Sequence, residues 1–314
     1  MKFLILTQLF TSLTTAASAE LKFDKIYFNR DEIELSALTK KGDDLLFVGD
    51  KLSNRAIYKV TFEKNRFYYT NYLDLSKLTG HTPYFAKALL LEHAGKIVKN
   101  PFDLEGVTYC GDTFYLINEQ VRHVLKIKDS TLTNMKVPFE KTFKEVGFPL
   151  HKVSRNAGFE GIAADCKNSK LYIAQERSPR GIIKVDIKSG KVEDHFLFSN
   201  KETKYGSMDY ADLHYENGFL YLLERNEHLI TKYDLQKKKI VTSVSFNKLD
   251  NIKLRELYDS GEIFGLAEGL TMSKERIFIG VDNNMAPLSK KSQKKYNLKG
   301  NFSSIIIYKR PKGF

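Results

Sequence analysis

A short motif, an apolar residue followed by a carboxylate and then glycine, recurs along this chain and restricts its fold more than any bulk property does. The clearest copy lies in Asn156-Ala157-Gly158-Phe159-Glu160-Gly161-Ile162-Ala163. Asp103-Leu104-Glu105-Gly106-Val107-Thr108 precedes it, and Ala267-Glu268-Gly269-Leu270-Thr271 follows it. A weaker copy, Tyr210-Ala211-Asp212-Leu213-His214, lies between, and a degenerate one, Glu34-Leu35-Ser36-Ala37-Leu38, opens the series. Copies spaced by about 50 to 60 residues are the signature of a solenoid or a propeller.

The third unit shows what each repeat contains. Phe159 to Ala164, Lys170 to Glu176, Gly181 to Asp186 and Val192 to Phe198 are short runs rich in β-branched and aromatic residues, separated by polar turns such as Ser189-Gly190. Four antiparallel strands per repeat describe a propeller blade. The second strands align as Leu45–Asp50, Phe114–Glu119, Leu171–Glu176, Leu220–Glu224 and Ile277–Asp282, each ending in a carboxylate. The fifth unit lacks an outer strand, and Leu21 to Phe28 supplies one that closes the ring. The expected fold is therefore an all-β single propeller of five four-stranded blades. A sixth blade, the alternative, would have to come from Thr79 to Lys99, which reads better as a helical insertion. A β-sandwich with coincidental internal similarity is the competing architecture.

In a blade the second strand runs back antiparallel to the innermost one, so the start of the first and the end of the second lie at one face. Glu105, Glu160, Asp212 and Glu268, with Ser36 in the fifth place, then share one mouth of the channel with Asp50, Glu119, Glu176, Glu224 and Asp282. So many anions need compensation. A hard cation such as Ca²⁺ would bind through these oxygens. Arg177 and Arg225, next to Glu176 and Glu224, could pair with them, or neighbouring backbone N–H groups could donate to them as structural ties. A basic stretch with Lys290, Lys291, Lys294 and Lys295 between the last two strands of the fifth unit would cover this mouth and attract an anion, or else is an ordinary solvated charge run. His151 and His214 are the two histidines placed to act as acids or bases, although a structural role is the commoner fate for each.

Lys2, the apolar run Phe3 to Thr15 and Ala17-Ser18-Ala19 have the form of a cleavable export leader. Residues 1–19 are read as that signal peptide and 20–314 as the propeller domain, periplasmic or secreted and monomeric, with no transmembrane segment after cleavage. In an oxidising compartment Cys110 and Cys166, at matching places in successive units, could bridge those units or remain two buried thiols. The net charge of +12 favours anionic partners, but no nucleic-acid-binding motif accompanies it. G-x-S-x-G, H-E-x-x-H and P-loop patterns are absent from the sequence.

The segments around Glu105, Glu160 and Glu268, with Val281-Asp282-Asn283-Asn284 after the last, resemble the phytase-like family of exported β-propellers, which carries an esterase-like activity label. The chain is also similar to a related group of periplasmic propellers that bind calcium. The resemblance implies calcium-assisted hydrolysis of phosphate or other esters. Glu105, Glu160, Glu268 and Asp282 would then hold the metal, together with Glu224, while one of Glu105, Glu160 or Glu176 orients water. Lys290, Lys291, Lys294, Lys295 and Arg177 would bind the substrate. Ser36 and the Asp212 unit, which lacks the following glycine, depart from the pattern. The alternative is a non-enzymatic module that binds a protein or glycan partner at the same face.

Overall fold

The β-rich runs pair as their alternation and turn residues dictate. A computed structural model describes residues 18–29, 33–51, 55–80, 103–119, 122–139, 158–176, 180–198, 202–203, 206–261 and 265–314. Among them are five four-stranded antiparallel units. In order from the axis outward, the first comprises Ala37–Lys41, Asp44–Val48, Ala56–Glu63 and Arg66–Asp74. The second comprises Leu104–Cys110, Thr113–Asn118, His123–Lys128 and Thr131–Met135. The third has Phe159–Asp165, Lys170–Gln175, Gly181–Asp186 and Val192–Leu197, and the fourth Tyr210–Glu216, Phe219–Glu224, Leu229–Asp234 and Lys239–Ser245. The fifth joins Ala267–Met272, Arg276–Val281 and Ser304–Lys309 to the N-terminal strand Lys22–Asn29. Each innermost strand touches those of the two neighbouring units, and the contacts run round in a closed cycle. The protein is an all-β propeller.

Blades bury both faces, so their strands read as apolar runs and the core forms wedges between neighbours instead of one central mass. Leu46, Val48, Leu104 and Leu116 share the wedge between the first and second blades, and Tyr115, Ile117, Phe159 and Ile173 the next. Ala163, Tyr172, Leu213 and Leu222 fill the third wedge. Leu223, Ile230, Leu270 and Ile279 lie in the wedge between the fourth and fifth blades, and Leu38, Phe47, Phe278 and Ile305 close the cycle.

The N-terminal strand does more than complete the fifth blade. It pairs antiparallel with Ser304–Lys309, from Lys22 opposite Lys309 to Phe28 opposite Ser304. Its last residues then run parallel to the outer strand of the first blade, with Phe28 opposite Arg66 and Asn29 opposite Phe67. Ala19 and Glu20 add to the outer edge of the fourth blade opposite Val244 and Ser245. One segment thus ties three blades and covers edges that would otherwise template aggregation.

Cys110 and Cys166 form a disulfide across a Cα–Cα distance of 5.3 Å, joining the end of the innermost strand of the second blade to the turn that follows that of the third. Most of the segment expected to be a helical insertion, from residue 81 onward, and residues 1–17 of the expected leader lie outside the described residues. No helix among the described residues is long and apolar enough to cross a membrane.

The disulfide spans 56 residues of sequence, so breaking it releases a long loop in the unfolded chain. Cys110→Ser/Cys166→Ser is expected to lose about 2–4 kcal/mol of stability. Denaturant midpoints of the double variant should match those of the reduced wild type and lie below those of the oxidised protein.

Candidate functional site

The recurring Glu-Gly pair acquires a structural reason in the innermost strands. In the second blade Leu104 pairs with Asn118 and Gly106 with Ile117, leaving Glu105 as the extra residue of a bulge. In the fifth, Ala267 pairs with Val281 and Gly269 with Gly280, and Glu268 is the extra residue. Glu160 falls in the irregularity between Phe159 and Ile162 of the third blade. A bulge re-aims its extra side chain out of the regular alternation. The glycine that follows lets adjacent innermost strands meet: a Cβ on Gly161 would lie 2.6 Å from Asp212 Cα, and one on Gly106 2.9 Å from the Glu160 carbonyl oxygen.

The residue after each second strand completes the mouth. Backbone N–H groups of Glu119, Glu176, Arg225 and Asp282 donate to the carbonyls of Asp103, Gly158, Asp209 and Leu266. The fourth blade is offset by one residue from the sequence alignment. Tyr210 pairs with Glu224 and Asp212 with Leu223, so Ala211 takes the bulge position and Arg225 the carboxylate position. Glu224 sits one step back, where its side chain turns the other way. It accepts from Arg180 Nη1 at 3.0 Å and from Thr231 Oγ1 at 2.5 Å, away from the other acids of the expected metal set.

Two triads of carboxylates converge. Asp50, Asp103 and Glu105 offer oxygens all within 4.8 Å of one another, and so do Glu119, Glu160 and Glu176. Burial drives the Glu105 and Glu160 carboxyls well above their usual range, and neighbouring carboxylates push them further. Asp50 is pushed up to about 8 by burial and by its hydrogen bond and proximity to Glu34. Asp282 is raised to about 7 by burial and by Glu34. Lys51 offsets part of this charge from 2.6 Å away from Glu34.

Arg225 is the largest counterweight. Its Nη1 donates to Glu268 at 2.7 Å, its Nη2 donates to Glu176, and Asp209 Oδ2 lies 3.6 Å from Nη2. Burial opposes its charge, but Glu268, Glu176, Glu160 and Asp209 together outweigh that cost and hold the guanidinium protonated. Asn226 supports the arrangement by donating to Asp209 at 3.1 Å and accepting from the Gly265 N–H at 2.8 Å.

Asp212 has a different task. Its carboxylate accepts backbone N–H bonds from Leu213 in its own strand, from Leu270 of the fifth blade at 2.7 Å and from Leu38 of the first at 3.4 Å. It is a structural tie across the axis. His214 lies deeper, against Tyr221, and burial lowers it to about 4. The lysine-rich stretch forms the helix Lys290–Tyr296, packed on the connection after the fourth blade. Lys291 pairs with Glu256 at 2.6 Å and Lys295 with Asp250 at 3.0 Å, while Lys290 and Lys294 are exposed. Arg177 and His151 lie outside the described residues.

A family model described as SdiA-regulated matches residues 87–283. The chain belongs to the SdiA-regulated family. A comparison with curated proteins gives no match. Among solved structures, U3-55K is similar at 9% identity and a TM-score of 0.42, over 84% of this chain and 63% of its own. The chain therefore spans less than two thirds of that protein. The WD40 repeats of RRP9 are similar at 8% identity and a TM-score of 0.44, over 93% of this chain and 99% of theirs. A luciferin-regenerating enzyme is similar at 9% identity and 0.42, over 95% and 94%.

Sequence reasoning assigned no role to Glu34, Asp103 or Asp209 and misplaced the fourth blade. A count would have found the offset. Five residues beyond Leu45, Phe114, Leu171, Leu220 and Ile277 stand Asp50, Glu119, Glu176, Arg225 and Asp282.

The raised carboxyls make stability depend on pH. Asp50 and Asp282 lie above their ordinary value of 3.8 when folded, so the folded protein holds protons that the unfolded chain releases. Their contribution is fully present below about pH 4 and is lost as pH rises through 7 and 8. The denaturant midpoint of chelator-treated protein is expected to fall between pH 5 and pH 8.5, and Asp50→Asn should flatten that decline.

Proposed function

We propose that the acidic mouth is a calcium site of an exported propeller and that it serves hydrolysis of a phosphate or other ester. The observation that carries this reading is the convergence of two carboxylate triads, with Asp50 and Glu105 in one and Glu160 in the other raised above the usual carboxyl range by burial and by their neighbours. The ligand atoms that the triads offer are hard carboxylate oxygens, and Ca²⁺ takes six to eight such ligands. Glu105 and Glu160 would hold the ion with Asp50, Asp103 and Glu119, and Asp282 would complete the ring, while Glu176 and Glu268 face Arg225. A bound divalent ion supplies Lewis-acid polarisation of a phosphoryl or acyl oxygen.

The chain's own groups then have defined tasks. Glu160, whose carboxyl is raised by burial and by its acidic neighbours, would orient the attacking water. Glu176 is oriented by its ion pair with Arg225. Lys290 and Lys294, exposed on the mouth-side helix, attract the anion. Export is supported by the leader pattern and by the Cys110–Cys166 disulfide, which persists in oxidising compartments. The phytase-like part of the reading rests on the motif resemblance. A non-enzymatic binding module is the second reading, supported by the connection Phe246–Gly261 and the helix that build out the same side.

A ligand that binds only the native state stabilises it by mass action. Ca²⁺ at about 100 times its dissociation constant should raise the melting midpoint of chelator-treated protein by roughly 5 °C. Glu160→Gln should abolish most of that rise. An unchanged midpoint in the wild type would overturn the calcium site. A calcium response with no turnover of phosphate or carboxylic esters, together with a retained glycan or protein, would favour the binding module.

A further inference from the structure

We propose that the mouth has two cation positions and that the guanidinium of Arg225 permanently fills one of them. The proposal deepens the calcium reading, which concerns the other position. It starts from strand geometry. Arg225 occupies the site after the second strand where the other blades place Asp50, Glu119, Glu176 and Asp282. An anion is therefore replaced by a cation at one place in the ring, and the replacement faces acids from three blades. Glu176 comes from the third, Asp209 from the fourth and Glu268 from the fifth.

The distribution of partners divides the ring. Glu176 is 1% exposed and Asp209 is 2% exposed, so neither obtains much screening from water. Arg225 Nη2 pairs with both. Glu268 has one oxygen on Arg225 and its other oxygen buried without a hydrogen bond. Glu160 is 6% exposed, and among the described residues no hydrogen bond reaches its carboxyl, which faces Glu119 and Glu176. Oxygens remain that the guanidinium does not reach. A fork of N–H donors satisfies two carboxylates at most in this geometry, whereas a compact ion takes ligands from every side. Arg225 thus marks a position whose carboxylates are arranged for a cation, and its side chain keeps a free ion out of it. The class of ligand this position would take in the absence of Arg225 is a hard divalent cation.

The test counts bound calcium. Chelator-treated wild type, Arg225→Gln and Arg225→Lys are equilibrated with Ca²⁺, and bound metal per folded chain is measured by calorimetry and elemental analysis. Arg225→Gln should bind one more ion than the wild type, and Arg225→Lys, which keeps the charge, no more than the wild type. Arg225→Gln/Glu268→Gln, which also removes a ligand, should lose the additional ion. In chelator the Arg225→Gln midpoint should fall below that of wild type, and Ca²⁺ should restore most of the difference. A folded Arg225→Gln with wild-type stoichiometry overturns the proposal. So does an Arg225→Gln chain that stays unfolded with saturating Ca²⁺, since the ion should replace the missing charge. A wild type that binds no calcium beside an Arg225→Gln that binds one sinks the calcium reading and leaves this inference standing.

Discussion

Crowding of the innermost strands around the axis sets the rest of the structure. Their close approach leaves no room for a Cβ at Gly106, Gly161 or Gly269, the last of which would meet Leu38 at 2.8 Å. Each glycine follows a bulged acid, so the residue that permits strand contact also fixes where the carboxylate before it emerges. The acidic mouth and the closed ring are therefore two results of one dipeptide. In the fourth blade the glycine's place belongs to Asp212, and there the crowding is used differently. Its carboxylate reaches the N–H groups of Leu38 and Leu270 in neighbouring innermost strands.

Like charges gathered in this way are tolerated by three means at once. At some positions burial penalises the charged form and raises the carboxyl, as at Glu105, Glu160 and Asp50. Others are matched by fixed cations, with Lys51 on the first blade and Arg225 on the fourth. Asp212 is matched by backbone donors. Desolvated ion pairs are poor sources of stability, so the Arg225 cluster is better understood as a device for holding particular carboxylates in particular charge states.

Much of this was legible in the sequence. The five-part repeat, the strand grammar and the use of Leu21 to Phe28 as the closing strand follow from period-two alternation and from the missing outer strand of the last unit. The fourth unit was misread because Tyr210-Ala211-Asp212 and Leu222-Leu223-Glu224 imitate the pattern while standing one residue out of register. A slip of one residue in a strand exchanges its two faces. That single step moved Glu224 to Arg180 and Thr231 and brought Arg225 to the mouth. Asp103 and Asp209 were missed because they lie just before the first strand, where sequence gives no indication of side-chain direction.

The seam made by Lys22–Asn29 against Ser304–Lys309 has a kinetic meaning. It joins residues from opposite ends of the described chain, so its formation is a loop closure over nearly all of the described residues. The entropy of such a closure grows only slowly with length, but contacts of this range make folding slow. Four blades are assembled from local neighbours, whereas the fifth waits for Lys22–Asn29 to meet Ser304–Lys309. The acids that face one another where the first and fifth blades meet, Glu34 and Asp50 on one side and Asp282 on the other, are brought together by the same closure of the ring. The repulsion among them thus weighs on the final step of assembly, and a cation available at that moment would act on the rate of closure as well as on the finished ring.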